Sequence, residues 1–312
     1  MTAREIFEKA GIPNVSYNVR MADYTTFRIG GPADVMARPA NREELIAVFR
    51  LCRENGLRWF FLGNGSNLLV SDEGYRGVVI CPDGDFNKIE VNGYDISAGC
   101  AASMSRIAQA ALQAQLAGFE FASGIPGSFG GGIYMNAGAY GSELKDVLAS
   151  IDYMDEEGFH RIGPDQARLG YRTSRFMTGG GIVLGGVVHL QPGSRDEIAA
   201  RIKELAEQRR SKQPLEYPSA GSMYKRPQGY YAGKLIQDAG LAGFSVGGAQ
   251  ISEKHCGFVI NTGGATCRDV RHLTQLVAEK VDDHVGVVLE PEVRYLGPEG
   301  LEPLLEERII DH

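Results

Sequence analysis

Three separate stretches carry polar side chains that could do chemistry: AGSMYKRP with Ser222, YRTSRF with Arg172 and Arg175, and LEPEVRYL with Glu290, Glu292 and Arg294. An arginine can fix a substrate carboxylate, and a carboxyl group held near an arginine can manage a proton or charge. Strand alternation in the last stretch puts Glu290, Glu292 and Arg294 on one face and Leu289, Pro291, Val293 and Tyr295 on the other. Each residue also has a plain structural reading, as a turn serine, a turn arginine and a solvated edge with ion pairs. No GxSxG elbow surrounds Ser222, so a serine-hydrolase triad is unsupported. The six histidines show no HExxH or other ligand spacing, and no metal is expected.

Two glycine-rich stretches add a second kind of chemistry. Phe121 to Gly141, FASGIPGSFGGGIYMNAGAYG, loses much backbone entropy on ordering, and a ligand that needs bare backbone would compensate. Phe129, Tyr134 and Met135 add apolar bulk that suits an aromatic cofactor better than a free phosphate. A packed crossover is the other reading; the apparent length of the loop favours function. The second stretch, GNGSN at Gly63 to Asn67, follows an apolar strand and resembles a phosphate-cradling turn, but lacks the βαβ context of a dinucleotide fingerprint. Together the two could hold a dinucleotide with a pyrophosphate and a large ring. Arg209, Arg210, Lys212, Lys225 and Arg226 fall within 18 residues; they complement a helix C-terminus or mark a nucleotide-phosphate site.

Such groups need elements to hold them. A chain of 312 residues is expected to form two or three lobes. Its net charge of −7 argues against nucleic acid or an anionic membrane as the main partner. Five widely spaced cysteines without a CxxC pair suggest neither disulfides nor zinc, and with no apolar run of membrane-spanning length a cytoplasmic protein is expected. MTAREIFEKAG reads as a helix, Asn14 to Asp23 as an extended linker, and TTFRIGGPADVMARP as strand, turn and strand. Asn41 and Glu44 open a helix with Leu45, Val48 and Cys52 on one face. Further helices are expected from Ser103 to Ala117 (Ile107, Ala110, Ala111 and Ala114 inward), from Ser194 to Lys212, and from Arg268 to His284. Strands are expected over Lys88 to Ala98, Val147 to Ile162, Gly181 to Leu190, Gly257 to Ile260 and Gly286 to Leu296. Boundaries at PDGD and before Pro214 give lobes of 1–82, 83–213 and 214–312.

The ordered blocks FRIGGPA, FLGNGSNLLV, GIPGSFGGGIYMNAGAYG, YRTSRF, GSMYKRP, AGKLIQDAGL, GGAQIS and LEPEVR resemble the UDP-N-acetylenolpyruvoylglucosamine reductase family from about Thr25 to Gly297. The resemblance implies an α+β chain: a two-lobed FAD-binding fold of the vanillyl-alcohol-oxidase type, followed by a small substrate lobe. It implies noncovalent FAD, reduction by NADPH, hydride transfer from flavin N5 to C3 of an enolpyruvyl group and protonation at C2. By the same resemblance Ser222 is the proton donor, Arg172 lies near the substrate carboxylate and Glu292 is the carboxyl partner. FAD would be held by Gly63, Asn64, Gly65, Ser66 and Asn67, and by Ser123, Gly124, Ile125, Pro126, Gly127, Ser128, Gly130 and Gly131. Tyr171, Arg209, Lys212, Lys225 and Arg226 would serve the substrate, a small molecule; no nucleic acid, membrane or protein partner is required. Only Gln228 to Tyr231 separate KRP from AGKLIQ, so the chain resembles the shorter subtype that lacks an inserted tyrosine loop. A flavin oxidase or dehydrogenase with another substrate and a non-catalytic nucleotide-binding protein remain the alternatives.

Overall fold

The computed structural model describes residues 1–306, so the last six residues of the expected third lobe lie outside it. Helix α1 (Ala3–Ala10) starts at a Thr2/Glu5 capping box and buries Ile6 and Phe7. Four strands then form a sheet in the order Val15–Arg20, Pro32–Ala37, Tyr75–Ile80, Trp59–Phe61. The first pair is antiparallel and the other two are parallel. Helix α2 (Arg42–Glu54) connects them: the Asn41 side chain accepts from the Glu44 amide, and Leu45, Val48 and Cys52 repeat at helical spacing toward the sheet.

Two expectations fail here. The predicted linker at Asn14 to Asp23 contains the strand Val15–Arg20, whose alternating half-buried and exposed residues fit a sheet edge. The predicted strand before the Gly-Gly-Pro turn is absent. Instead Phe27 and Ile29, 0% and 2% exposed, plug into the core of the third lobe, so alternation there reports side-chain anchoring and not a ladder.

The second sheet is antiparallel, in the order Gly158–Ile162, Leu148–Asp155, Ile182–His189, Asp95–Gly99, Ile89–Asn92. Helix α3 (Met104–Gln113) ends earlier than expected and buries Met104, Ile107, Ala108 and Ala111. Leu116–Ala117 pairs with Gln191–Pro192, and Ala110 and Ala114, expected to face inward, are only partly buried. The glycine stretch is not a long loop. Phe129–Met135 is helix α4, because Ser128 caps it and because Gly130 and Gly132 sit where side chains would collide. A Cβ on Gly130 would lie 2.6 Å from that of Cys100, and one on Gly132 3.0 Å from Leu144. Close packing overrides the low helix propensity of glycine. Helix α5 (Arg195–Lys212) completes this part, burying Ile198 and Leu205.

The third sheet runs Ser219–Ser222, Phe258–Asn261, Ala249–Ile251, Ser245–Val246, with α6 (Ala232–Asp238) and α7 (Cys267–Val285) packed on it. Val270, Leu273, Val277 and Val281 form the buried stripe of α7. Of the closing strand expected at Gly286 to Leu296, only Arg294–Gly297 forms. It leaves its own lobe and pairs in parallel with Leu68–Val70 of the first, while Pro291 makes a single bridge to Tyr224. Among the described residues, no helix is long and apolar enough to cross a membrane.

Candidate active site

One cavity of about 1470 Å³ lies where the three sheets meet. It exceeds the roughly 300–1,000 Å³ of ordinary small-molecule sites, leaving room for a cofactor and a substrate together. Seven arginines and five carboxylates line it, a local positive excess in a chain of net charge −7.

The two glycine-rich stretches meet in its wall. Asn64 Nδ2 donates to the Pro126 carbonyl (3.1 Å), and all of Gly63 to Asn67, with Ile125 to Ser128, Gly130 and Gly131, face the cavity. Their contributions differ. Among the described residues the amides of Asn64, Gly65, Ser66 and Asn67 have no protein acceptor. Four consecutive free N–H groups beside a glycine at φ 58° make an anion cradle. In α4 the first amides are already used: Phe129 donates to Ala102, Gly130 to Cys100, and Gly131 to the Ser128 hydroxyl. Gly131 is exposed to the cavity, so α4 offers a bare flat wall and not donors.

Arg172, Glu292 and Ser222 also line this cavity. Arg172 sits at φ 53° in a tight turn closed by Gly170 and Thr173, which exchange backbone hydrogen bonds of 3.0 and 3.3 Å. Its Nε donates to Glu292 Oε1 (2.8 Å) and its Nη2 to the Gly138 carbonyl (2.9 Å). The pair is largely buried, with side chains 18% and 17% exposed. Burial pushes the Glu292 carboxyl above its ordinary value, while the Arg172 guanidinium and, more weakly, Lys225 restrain the rise. The Glu292 backbone is tied down on both sides: its amide donates to the Met223 carbonyl (2.9 Å), and its carbonyl accepts from Asn67 Nδ2 (3.0 Å). Asn67 of the anion cradle and Met223, next to Ser222, therefore hold the same carboxylate in place. The Ser222 hydroxyl has no protein partner among the described residues and is free for a ligand.

Other expected site residues sit outside the cavity wall. Ser123 donates to the Glu120 carbonyl (2.7 Å), and the Gly124 carbonyl accepts from Arg209, which does line the cavity. Lys212 is exposed at the end of α5. Tyr171, Lys225 and Arg226 form a separate rim: Tyr171 Oη accepts from the Arg226 amide (3.2 Å), Lys225 pairs with Glu290, and Arg226 stacks 3.9 Å from the Tyr231 ring. Sequence reasoning missed Asn136 and Gln213, and gave Arg294 no role beyond sharing a face with Glu292. Arg294 and Gln213 line the cavity, and the Gln213 Oε1 is buried without a partner among the described residues. Nothing local marks a glutamine after a helix as a ligand group. For Arg294, the alternation that put it on the face of Glu292 was the available signal.

Residues 213–296 match the family model described as UDP-N-acetylenolpyruvoylglucosamine reductase, C-terminal domain, and residues 33–162 match that of an FAD binding domain. A reductase of that name from Caldanaerobacter subterraneus subsp. tengcongensis is 50% identical over 90% of this chain and 93% of its own. The chain belongs to the UDP-N-acetylenolpyruvoylglucosamine reductase family. Another member, from Clostridium perfringens, is 47% identical over 91% of this chain and 93% of its own. The crystal structure of the Thermus caldophilus reductase superposes with a TM-score of 0.77 at 35% identity, covering 89% of this chain and 97% of that one. As a family member the chain is an FAD-dependent oxidoreductase with the α+β fold expected from its sequence. The cavity fits FAD on its own terms, since it joins a row of free amides suited to a diphosphate with a bare glycine wall suited to a flat ring.

Proposed function

We propose that the chain reduces UDP-N-acetylglucosamine enolpyruvate to UDP-N-acetylmuramate in the cytoplasm, with NADPH as reductant, as a step of peptidoglycan precursor synthesis. The observation that carries this reading is the convergence of Arg172, Glu292 and Ser222 on the cavity that the two glycine-rich stretches line. The amides of Asn64 to Asn67 and the bare wall of α4 would hold FAD, which when bound would supply hydride chemistry between NADPH and C3 of the enolpyruvyl group. Hydride addition at C3 leaves an electron pair delocalised from C2 into the adjacent carboxylate. Arg172 supplies the positive charge that stabilises it, and Glu292 fixes the guanidinium by accepting from Nε. Ser222 then donates its hydroxyl proton to C2 and is reprotonated from water, so one hydride and one proton are added overall. A serine hydroxyl is a weak acid, and it serves here because its acceptor is close to a dianion.

The rim of Tyr171, Lys225 and Arg226 suits the diphosphate side of the substrate, and Gln213 offers an acceptor to a ligand N–H. Division into lobes 1–82, 83–213 and 214–312 is supported by the three sheets, except that Arg294–Gly297 returns to the first. The test is anaerobic: the flavin absorbance of the holoenzyme is bleached with one equivalent of NADPH, then substrate is added. Rapid recovery of the oxidised spectrum is expected. Bleaching without recovery would reject the substrate and point to another acceptor.

A further inference from the structure

We propose that Asn136 is a positioning residue that holds Arg172 in place for the transfer to substrate. The inference rests on the reading of Arg172 given above and adds a residue to it. Asn136 follows α4 and is fully buried, 0% exposed. Its carboxamide is completely engaged, and none of its bonds returns to the helix. Nδ2 donates to the Gly170 carbonyl and to Glu143 Oε2, both at 2.9 Å, and Oδ1 accepts from the Lys145 amide at 3.0 Å.

The backbone does not explain the choice of asparagine. Asn136 caps α4 in the left-handed region, φ 43° and ψ 58°, where glycine is the less strained residue. What asparagine adds is the carboxamide, and its outward bond reaches the base of the turn that presents Arg172. That turn needs an anchor, because Arg172 itself occupies the left-handed region at φ 53° and carries a Cβ there. The far end of Arg172 is referenced to the same segment, since the Gly138 carbonyl, two residues after Asn136, accepts from Nη2. Asn136 thus fixes the base of the turn while its neighbour fixes the guanidinium. A second tie, from the Ser174 hydroxyl to the Tyr134 carbonyl (2.7 Å), keeps the chain after the turn on the end of α4.

The test is Asn136→Gly, which keeps the left-handed cap and deletes only the carboxamide. Both half-reactions of the holoenzyme are followed by stopped-flow absorbance, in the wild-type and the Arg172→Ala backgrounds. Flavin reduction by NADPH should be unchanged within about twofold, and reoxidation by substrate slowed roughly tenfold to a hundredfold, the effect of a misplaced catalytic group. In the Arg172→Ala background the same substitution should slow reoxidation by less than about twofold, because there is no guanidinium left to position. Full additivity, or equal slowing of both half-reactions, overturns the proposal and leaves Asn136 a structural residue. If Arg172→Ala alone leaves reoxidation unchanged, the reading of Arg172 fails, and the positioning role falls with it. Should Asn136→Gly not fold, Asn136→Asp combined with Glu143→Gln keeps the Lys145 acceptor and a hydrogen-bonded partner at residue 143 while losing the donor to Gly170, and must show the same pattern.

Discussion

Placing an alanine at Gly63 tests how the two glycine-rich stretches are fitted together. The Gly63 backbone is not left-handed, so alanine adds no conformational strain there. Its Cβ would lie 2.3 Å from Ser128 Oγ, whereas the Ser128 Cβ is 3.4 Å away, an ordinary contact. Ser128 is 1% exposed and cannot swing out to solvent. The substitution must therefore push aside the hydroxyl that caps α4, losing about 1 kcal/mol for the cap, and in addition overpack the joint by about 1–3 kcal/mol. Ser128→Ala alone should lose only the cap, about 1 kcal/mol, since the freed Gly131 amide faces the cavity. In the double variant the hydroxyl is gone and the remaining contact is normal, so the total should return to about 1 kcal/mol, below Gly63→Ala alone. Urea unfolding of the apoprotein measures stability, and flavin fluorescence titration measures FAD affinity, which should recover in parallel. A double variant as unstable as the sum of the singles would refute the stated contact.

Further outcomes follow from the same structure. Ser222→Ala should leave flavin reduction by NADPH intact and slow reoxidation by substrate by on the order of 10²–10⁴, read by the same stopped-flow assay. Burial raises the Glu292 carboxyl above its ordinary value of 4.5. Its contribution to stability is therefore fully present below that value and is lost as pH rises through the folded one. Wild type should accordingly lose ground to Glu292→Gln over that interval in paired urea titrations, and parallel curves would exclude the shift. Gln213→Leu removes a buried acceptor that lacks a partner, so the apoprotein should be no less stable in urea while ligand affinity falls in calorimetry. Burial pushes the Cys52, Cys100 and Cys267 thiols up to about 12, so alkylation detected by mass spectrometry should be slow in the native protein and fast in urea.

The helices were mostly legible because their signals are local. Asn41 with Glu44, Ser103 before Met104, and the 3.6-residue stripe of α7 each depend on a few neighbouring residues. What escaped depended on distant partners. Val15–Arg20 is a strand only because Pro32–Ala37 lies beside it, and the glycines of α4 are helical only because Cys100 and Leu144 press on them. In the site, Arg172, Glu292 and Ser222 were found through the motifs around them. Asn136 and Gln213 were not, since the meaning of a carboxamide lies in what it faces, and Gly170 is 34 residues from Asn136. Lys225 and Arg226 stood out by charge, but charge alone does not say that they lie on a rim with Glu290 and Tyr231.

The parallel pairing of Leu68–Val70 with Arg294–Gly297 also dictates the order of events during synthesis. The earlier strand has no other strand neighbour in its sheet, so it leaves the ribosome with an open edge and must wait about 220 residues for its partner. At roughly 5–20 residues per second that delay is about 11–45 s. The same late arrival brings Glu292 and Arg294 to the cavity. A nascent chain can therefore complete its second lobe early, yet the first keeps its open edge, and neither the closing strand nor Glu292 is available until translation is almost finished. Truncation at the C-terminus should accordingly act on the first lobe, at the opposite end of the gene.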